Sequence, residues 1–507
     1  MLNVINRNET EFCGKVPLHQ TNLLQPHGYL LIVEKETFRI LQAGENITPL
    51  CNLPAQQLVN TSLSEYIPAE EMEKIRSRFS RQVSGSLPFF LPFPSGVYLA
   101  TIKAQDAYFV FEIEKDSRPA SGRDLFIDIY QDLKYVMAAI DEAGTTLEAC
   151  RVAIEELKKI SGFDKIMAYQ FDEDWNGDVI AEVMEEGMDS YLGLKFPASD
   201  IPKQARELYR KTPFRLIPNT RYDAVKIYPV INPLTNVFTD LSDSNLRSVA
   251  GVHIEYLRNM KVTASMSTRI LKNDKLWGLI ACHHREAKYL SFEKCAIFEL
   301  LSNVLSAKVS AMQNQDQFHY QSQMQELHTD LVEEVFREND LVKGLKSGDQ
   351  KLLQLLKADG VALVLSKNIE TIGKVPAEQD IEDLVIWLQS ANRNKIYHQP
   401  SLSAVFEPAE HYAQEASGLL ALPVQAEKGC FILAFRPEAV TKVNWGGNPE
   451  EALHFEADGK RYHPRASFRL WQQQVVKTSL PWRGAELEVA EQFRNFVVEY
   501  TLNKVQN

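Results

Sequence analysis

Phe196-Pro197-Ala198-Ser199-Asp200-Ile201-Pro202 sets an acidic residue between two prolines inside an apolar frame. Each proline fixes its own φ and restrains the residue before it, so the stretch predicts a rigid bend. Such a bend either aims a carboxylate or a carbonyl into a pocket, or merely caps a turn or a helix. Groups that suit the first alternative lie further along. Arg247, His253, Glu255, Tyr256 and Arg258 form a polar cluster, followed by Ser265 and Ser267. The two serines alternate along a strand-like piece and so share one face. With Arg215 and Arg247 they can bind carboxylates through charge-assisted hydrogen bonds, as a cofactor with acidic arms requires. Surface polar residues around a satisfied histidine are the plainer alternative. Cys282-His283-His284 ends an apolar strand over 276–282. Neighbours on a strand face opposite sides, so one histidine points inward and a two-histidine metal site is disfavoured.

Outward from these clusters the chain reads as an α+β multidomain protein. Its 507 residues exceed one hydrophobic core. Runs 29–33 and 108–113 are rich in β-branched and aromatic residues and predict strands in a first domain over 1–120. Residues 118–122 (RPASG) suggest a linker, and 125–161 carries helical spacing. A second domain over 121–313 has strands at 165–171 and 276–282 around a Pro/Asn-rich stretch, 213–243, too long for an ordinary loop. From 291 to 346 the pattern is helical, with no glycine or proline before Gly344. Ile297, Leu300, Leu301, Val304, Leu305 and Val309 form one apolar stripe. One connecting or dimerising helix is expected, or two with a break at 313–325. A third domain over 314–507 has strands at 361–365 and 430–435, a polar excursion at 441–482 with three of the six tryptophans, and a closing helix at 485–504.

A formal charge of −12 offers no basic face for nucleic acid. No run approaches the ~18–20 apolar residues of a bilayer span, and the start MLNVINRNETEF has no signal pattern, so a cytoplasmic protein without a membrane partner is expected. Cysteines 13, 51, 150, 282, 295 and 430 show neither zinc pairing nor a disulfide spacing, and most are expected to be buried. Cys13 differs: it sits on a polar arm before Gly14, a reachable thiol and candidate attachment point. P-loop, HExxH and GxSxG motifs are absent, which argues against an enzyme.

Taken together, FPASDIP at 196–202, LRS at 246–248, HIEYLRNM at 253–260, LWGLIACHH at 276–284, WGG at 445–447 and PRASF at 464–468 resemble the phytochrome family, specifically bacteriophytochromes. The resemblance covers essentially the whole chain. It implies PAS, GAF and PHY domains, each an antiparallel sheet with helices, joined by long helices. It also implies an N-terminal arm threaded through the 213–243 loop as a figure-of-eight knot, and a PHY tongue at about 441–482.

By the same resemblance Cys13 would form a thioether to biliverdin IXα. Val252 occupies the alternative attachment position, which favours biliverdin over more reduced bilins. Gln25-Pro-His-Gly28 matches the family's N-terminal region. Asp200 would offer its carbonyl to the pyrrole nitrogens beside His253. Arg215, Arg247, Tyr256, Ser265 and Ser267 would hold the propionates, and His283 the ring D carbonyl. Tyr169, Phe196, Ile201 and Tyr209 would line the space in which ring D turns. Arg465 would pair with Asp200 in one state, and Ser467 would replace it in the other.

Red and far-red light would then drive a Pr–Pfr switch. Expected partners are a second copy of the chain, a histidine kinase or other output domain, and a response regulator. Departures from the family are Ala250-Gly251, where Ser-Pro is common, and Trp471-Gln472-Gln473, where Trp-x-Glu is common. A non-photochemical PAS/GAF small-molecule sensor is the alternative.

Overall fold

A computed structural model describes residues 20–506 apart from 81–84, 116–123, 366–367, 392, 452 and 456–461. Cys13 and the whole 118–122 linker lie outside the described residues. The chain divides into two compact units, residues 1–312 with 444–471, and residues 313–443 with 472–507.

In the first unit, the apolar runs at 29–33 and 108–113 become Tyr29–Glu34 and Tyr108–Lys115, paired antiparallel at the centre of a seven-stranded sheet. One strand of that sheet comes from far along the chain. Val225–Tyr228, inside the 213–243 stretch, pairs with Leu23–Leu24 on one side and with Ile40–Gly44 on the other. That stretch is therefore a long loop with a second job, as a strand of the N-terminal sheet.

The other sheet of this unit runs Phe214–Ile217, Ala264–Lys272, Lys275–His284, Lys165–Phe171, Gly177–Met184 and Lys195–Phe196, then on to Thr441–Gly446 and Leu470–Val475. One face is closed by helices through a core that includes Ile140, Cys150, Ile154, Phe298, Leu301 and Leu305. Full burial of each such large side chain contributes about 1.5–3 kcal/mol. The opposite face carries the site.

Three helical expectations need correction. The 125–161 run is two helices, Asp124–Glu142 and Thr146–Ser161. Gly144 interrupts it and Thr145 starts the second helix, its side chain accepting from the Glu148 amide at 3.1 Å. Phe292–Glu338 is one helix of 47 residues, unbroken at 313–325. It stops short of 346 because Asn339 turns left-handed (φ 48°) and Asp340 caps a new helix, Leu341–Ser347. Gly344 is needed there: a Cβ on it would lie 2.4 Å from Val335 Cα. Leu300 is 40% exposed, off the buried stripe.

An 18-residue window of Phe292–Glu338 reaches mean hydropathy 1.3, enough by composition to cross a membrane. Its Phe298, Leu301, Leu305 and Val309 are fully buried in the sheet's core. The five described cysteines are buried.

The second unit has a five-stranded antiparallel sheet in the order Asn368–Gly373, Gly360–Leu365, Cys430–Arg436, Gly418–Gln425, Tyr397–Gln399. Apolar clusters fill both faces. Arg436 ties down the segment before the closing helix Gly484–Gln506. It donates to the Lys357, Leu480 and Pro481 carbonyls, pairs with Glu486 at 2.9 Å and lies 4.0 Å from the Trp482 ring centroid.

Candidate functional site

Strand alternation builds one wall of a cavity of about 240 Å³. Met167 and Tyr169 come from one strand, Leu279, Ala281 and His283 from the next, and Ser265 and Ser267 from the third. His284, one residue on, faces away, with Nδ1 3.1 Å from Asp164.

The proline-flanked bend forms the opposite side. Ala198–Asp200 is a single 3-10 turn between Pro197 and Pro202. Arg206 fixes it by donating to the Ala198 and Ile201 carbonyls at 3.3 and 2.7 Å. Pro202 then leads into Lys203–Lys211, which supplies Tyr209. The helix Gly251–Asn259 supplies His253 and Tyr256, whose rings lie nearly parallel, 6.0 Å apart at 11°.

Asp200 is a hub. Its Oδ2 accepts from the Tyr256 hydroxyl at 2.9 Å and pairs with Arg465, and the two paired side chains are 5% and 3% exposed. The Arg465 guanidinium lies 5.3 Å from the Phe196 ring and 5.0 Å from the Phe468 ring, and Asn259 donates to the Arg465 carbonyl at 3.1 Å. Ser467 is exposed, its hydroxyl 3.5 Å from the Arg469 amide and off the cavity wall.

Two arginines, Arg247 buried and Arg215 half-buried, face the same space. Arg215 donates to the Ser244, Asn245 and Arg247 carbonyls, the first two at 3.0 and 2.7 Å. Burial and the neighbouring Arg247 pull its pKa down to about 9. Arg247 reaches the Ser242 carbonyl at 3.3 Å. Their loop is held from outside by Glu112, which accepts from the Asn245 and Leu246 amides at 3.0 and 3.1 Å, and by Gln25, which donates to the Asn245 carbonyl at 2.8 Å.

Burial lowers His253 to about 4 and His283 to about 3, with Arg215 and Lys165 adding to the respective shifts. Both are neutral imidazoles, each with one donor and one acceptor. Burial, followed by the Asp200 charge, raises the Tyr169 and Tyr256 phenols, so both stay protonated.

Of the residues singled out by sequence, Asp200, His253, His283, Arg215, Arg247, Tyr256, Ser265, Ser267, Tyr169, Phe196, Ile201 and Tyr209 all line this cavity. Sequence reasoning missed Met167, Leu279 and Ala281, which period-two counting back from Tyr169 and His283 reaches. It also missed Tyr191 and Ser244, which sit in loops where no periodicity points to them. Among the described residues no cluster suited to a metal ion occurs.

Three family models match in order: a PAS fold over residues 13–114, a GAF domain over 145–309 and a phytochrome region over 324–506. Cyanobacterial phytochrome B of Nostoc sp. is 38% identical over 97% of this chain and 66% of that protein. A bacteriophytochrome of Pseudomonas aeruginosa is 31% identical over the same shares. A crystal structure of an R. palustris bacteriophytochrome matches with TM-score 0.81 at 32% identity, covering 97% of this chain and 99% of that one. The Stigmatella aurantiaca phytochrome photosensory core module also gives 0.81, at 31% identity, covering 97% and 98%.

Fold and site thus define a PAS–GAF–PHY sensory chain. It belongs to the phytochrome family. The chain spans 66% of the length of the cyanobacterial and Pseudomonas relatives described above.

Proposed function

We propose that this chain is a red/far-red photoreceptor region that holds biliverdin IXα and switches between Pr and Pfr states. The observation that carries this reading is the convergence of the buried Arg247, the half-buried Arg215, two neutral histidines and the Asp200–Arg465 pair on one cavity. A buried cation without a carboxylate is costly, so the arginine pair suits a ligand that brings acidic groups. When bound, the bilin supplies a red-absorbing system whose bridge between rings C and D isomerises in light.

Arg247, Tyr256, Ser265 and Ser267 hold its propionates. Arg215, already committed to three carbonyls, fixes the loop and adds positive potential. The Asp200 carbonyl and His253 accept from the pyrrole N–H groups, which need buried acceptors. His283 donates to the ring D carbonyl, and Tyr169, Phe196, Ile201 and Tyr209 wall the space for ring D.

Cys13 makes the thioether from an arm threaded through the 213–243 loop. Arg465 leaves Asp200 and Ser467 replaces it as the tongue at 441–482 refolds, a two-state element biased by light. The domains run 1–120, 121–313 and 314–507. The signal passes through the long helix to a partner copy, a cytoplasmic output domain such as a histidine kinase, and a response regulator.

Mixing the purified chain with biliverdin and recording visible spectra under alternating red and far-red light tests this. A red band that changes reversibly is expected. Its absence overturns the reading, and binding without reversible change points to the non-photochemical sensor. For Cys13→Ala, bilin that survives denaturation on the protein excludes Cys13 as the linkage.

A further inference from the structure

Next to the cavity lies a buried ion pair with no part in the contacts described above. Lys165 begins its strand opposite His283 in register. Its side chain is 2% exposed and that of Glu182 is 3%. Nζ lies 3.4 Å from Glu182 Oε1, donates to the Asp189 carbonyl, and stands 3.7 Å from the Tyr191 ring centroid. Glu182 in turn accepts from the Tyr191 amide at 3.0 Å and from the Ser190 hydroxyl at 2.5 Å.

Desolvating two charges offsets much of their attraction, so a buried pair is better explained by the conformation it specifies. Here that conformation is the turn at 189–191. Asp189 and Ser190 are exposed and offer the turn no apolar anchor, yet the Tyr191 ring behind them is buried and walls the cavity. Tyr191 meets Phe196 edge-on at 5.7 Å between centroids, and Phe196 lies 6.2 Å from Tyr169. The pair therefore holds one end of an aromatic row that leads to the Asp200 bend.

We infer that Lys165–Glu182 is a positioning pair for this end of the cavity. It clamps Tyr191 as a fixed wall from beside the strand that carries His283, and so governs how freely the terminal ring of a bound bilin turns. The functional half of this inference rests on the bilin-binding reading; the clamp itself does not.

Three variants test it: Lys165→Met, the doubly apolar Lys165→Met/Glu182→Leu, and the conservative Lys165→Arg. In apoprotein, hydrogen exchange at the Tyr191 amide is expected to quicken roughly tenfold or more in the first two and to stay near wild type in the third. Loaded with biliverdin, the first two are expected to lose photoconversion yield several-fold and gain fluorescence, while still binding the pigment. The double variant removes both charges at once, so it remains informative if Lys165→Met fails to fold. Unchanged exchange at Tyr191 in a folded double variant overturns the clamp. Faster exchange with wild-type yield and fluorescence overturns its role in ring rotation. Wild-type protein run alongside separates these results from failure of the bilin reading, which shows as no reversible band in any sample.

Discussion

Two sheets in this chain share a strand pattern and differ on one face. In the second unit, Phe431, Leu433 and Phe435 alternate along Cys430–Arg436 into a closed apolar core, while Ile432 and Ala434 serve the core on the other side. In the first unit, Leu279, Ala281 and His283 alternate along Lys275–His284 into the cavity, while Ile280 and Cys282 serve the helix-covered core. The same periodicity thus yields a filled face or a hollow one. Bulk differs: Ala281 and His283 bring less apolar volume to the cavity face than Leu433 and Phe435 bring to the closed core. Sensing capacity is a property of side-chain volume and polarity on one face, not of the sheet.

The sharpest way to break this contrast is to remove bulk from each face. Phe431→Ala should cost about 3–5 kcal/mol, because it opens a void in a closed core. Leu279→Ala, on a cavity wall and not inside a closed core, should cost about 2 kcal/mol, the lower end for such a truncation. Denaturant midpoints followed by amide exchange in each unit measure both, and equal losses would contradict the contrast.

Next comes charge. Asp200→Asn leaves Arg465 buried without its carboxylate and should destabilise the packing of the 464–468 segment by about 3 kcal/mol, the lower end for a broken buried pair. Faster proteolysis within 444–471 is the readout.

Acid gives a smaller effect. His283 has its pKa held near 3 by burial, against an ordinary value of 6.5. As pH falls through 6.5 the unfolded chain takes up this proton first, so the stability of the neutral form is present above that value and is lost toward 3. By pH 5 the loss is roughly 2 kcal/mol for this residue. The apoprotein of His283→Gln should therefore lose about that much less between pH 7 and pH 5. Glu112, raised to about 7 chiefly by burial, acts in the opposite direction but equally in both proteins. Least of all, Ser467→Ala should change stability by less than about 0.5 kcal/mol, since its side chain is exposed in this arrangement.

Much of the site was legible because it follows local rules. Period two places Ser265, Ser267 and His283 on one face, and paired prolines make the bend at Asp200. What escaped depends on tertiary neighbours. Leu300 fits the helical stripe, yet no partner covers it. Asn339 ends a helix that its apolar spacing would have continued, because the next helix packs through Gly344. Tyr191 lies in a polar turn and becomes a cavity wall through two buried charges on other strands. Lys165 lies 26 residues before Tyr191, too far for any local pattern to link them.

The strand Val225–Tyr228 has a consequence for inheritance. Because it completes the N-terminal sheet from inside the next domain, a recombination point between codons 44 and 225 would hand each descendant a sheet lacking a member. Natural shuffling, or a designer's chimera, has to transmit the two domains as one cassette.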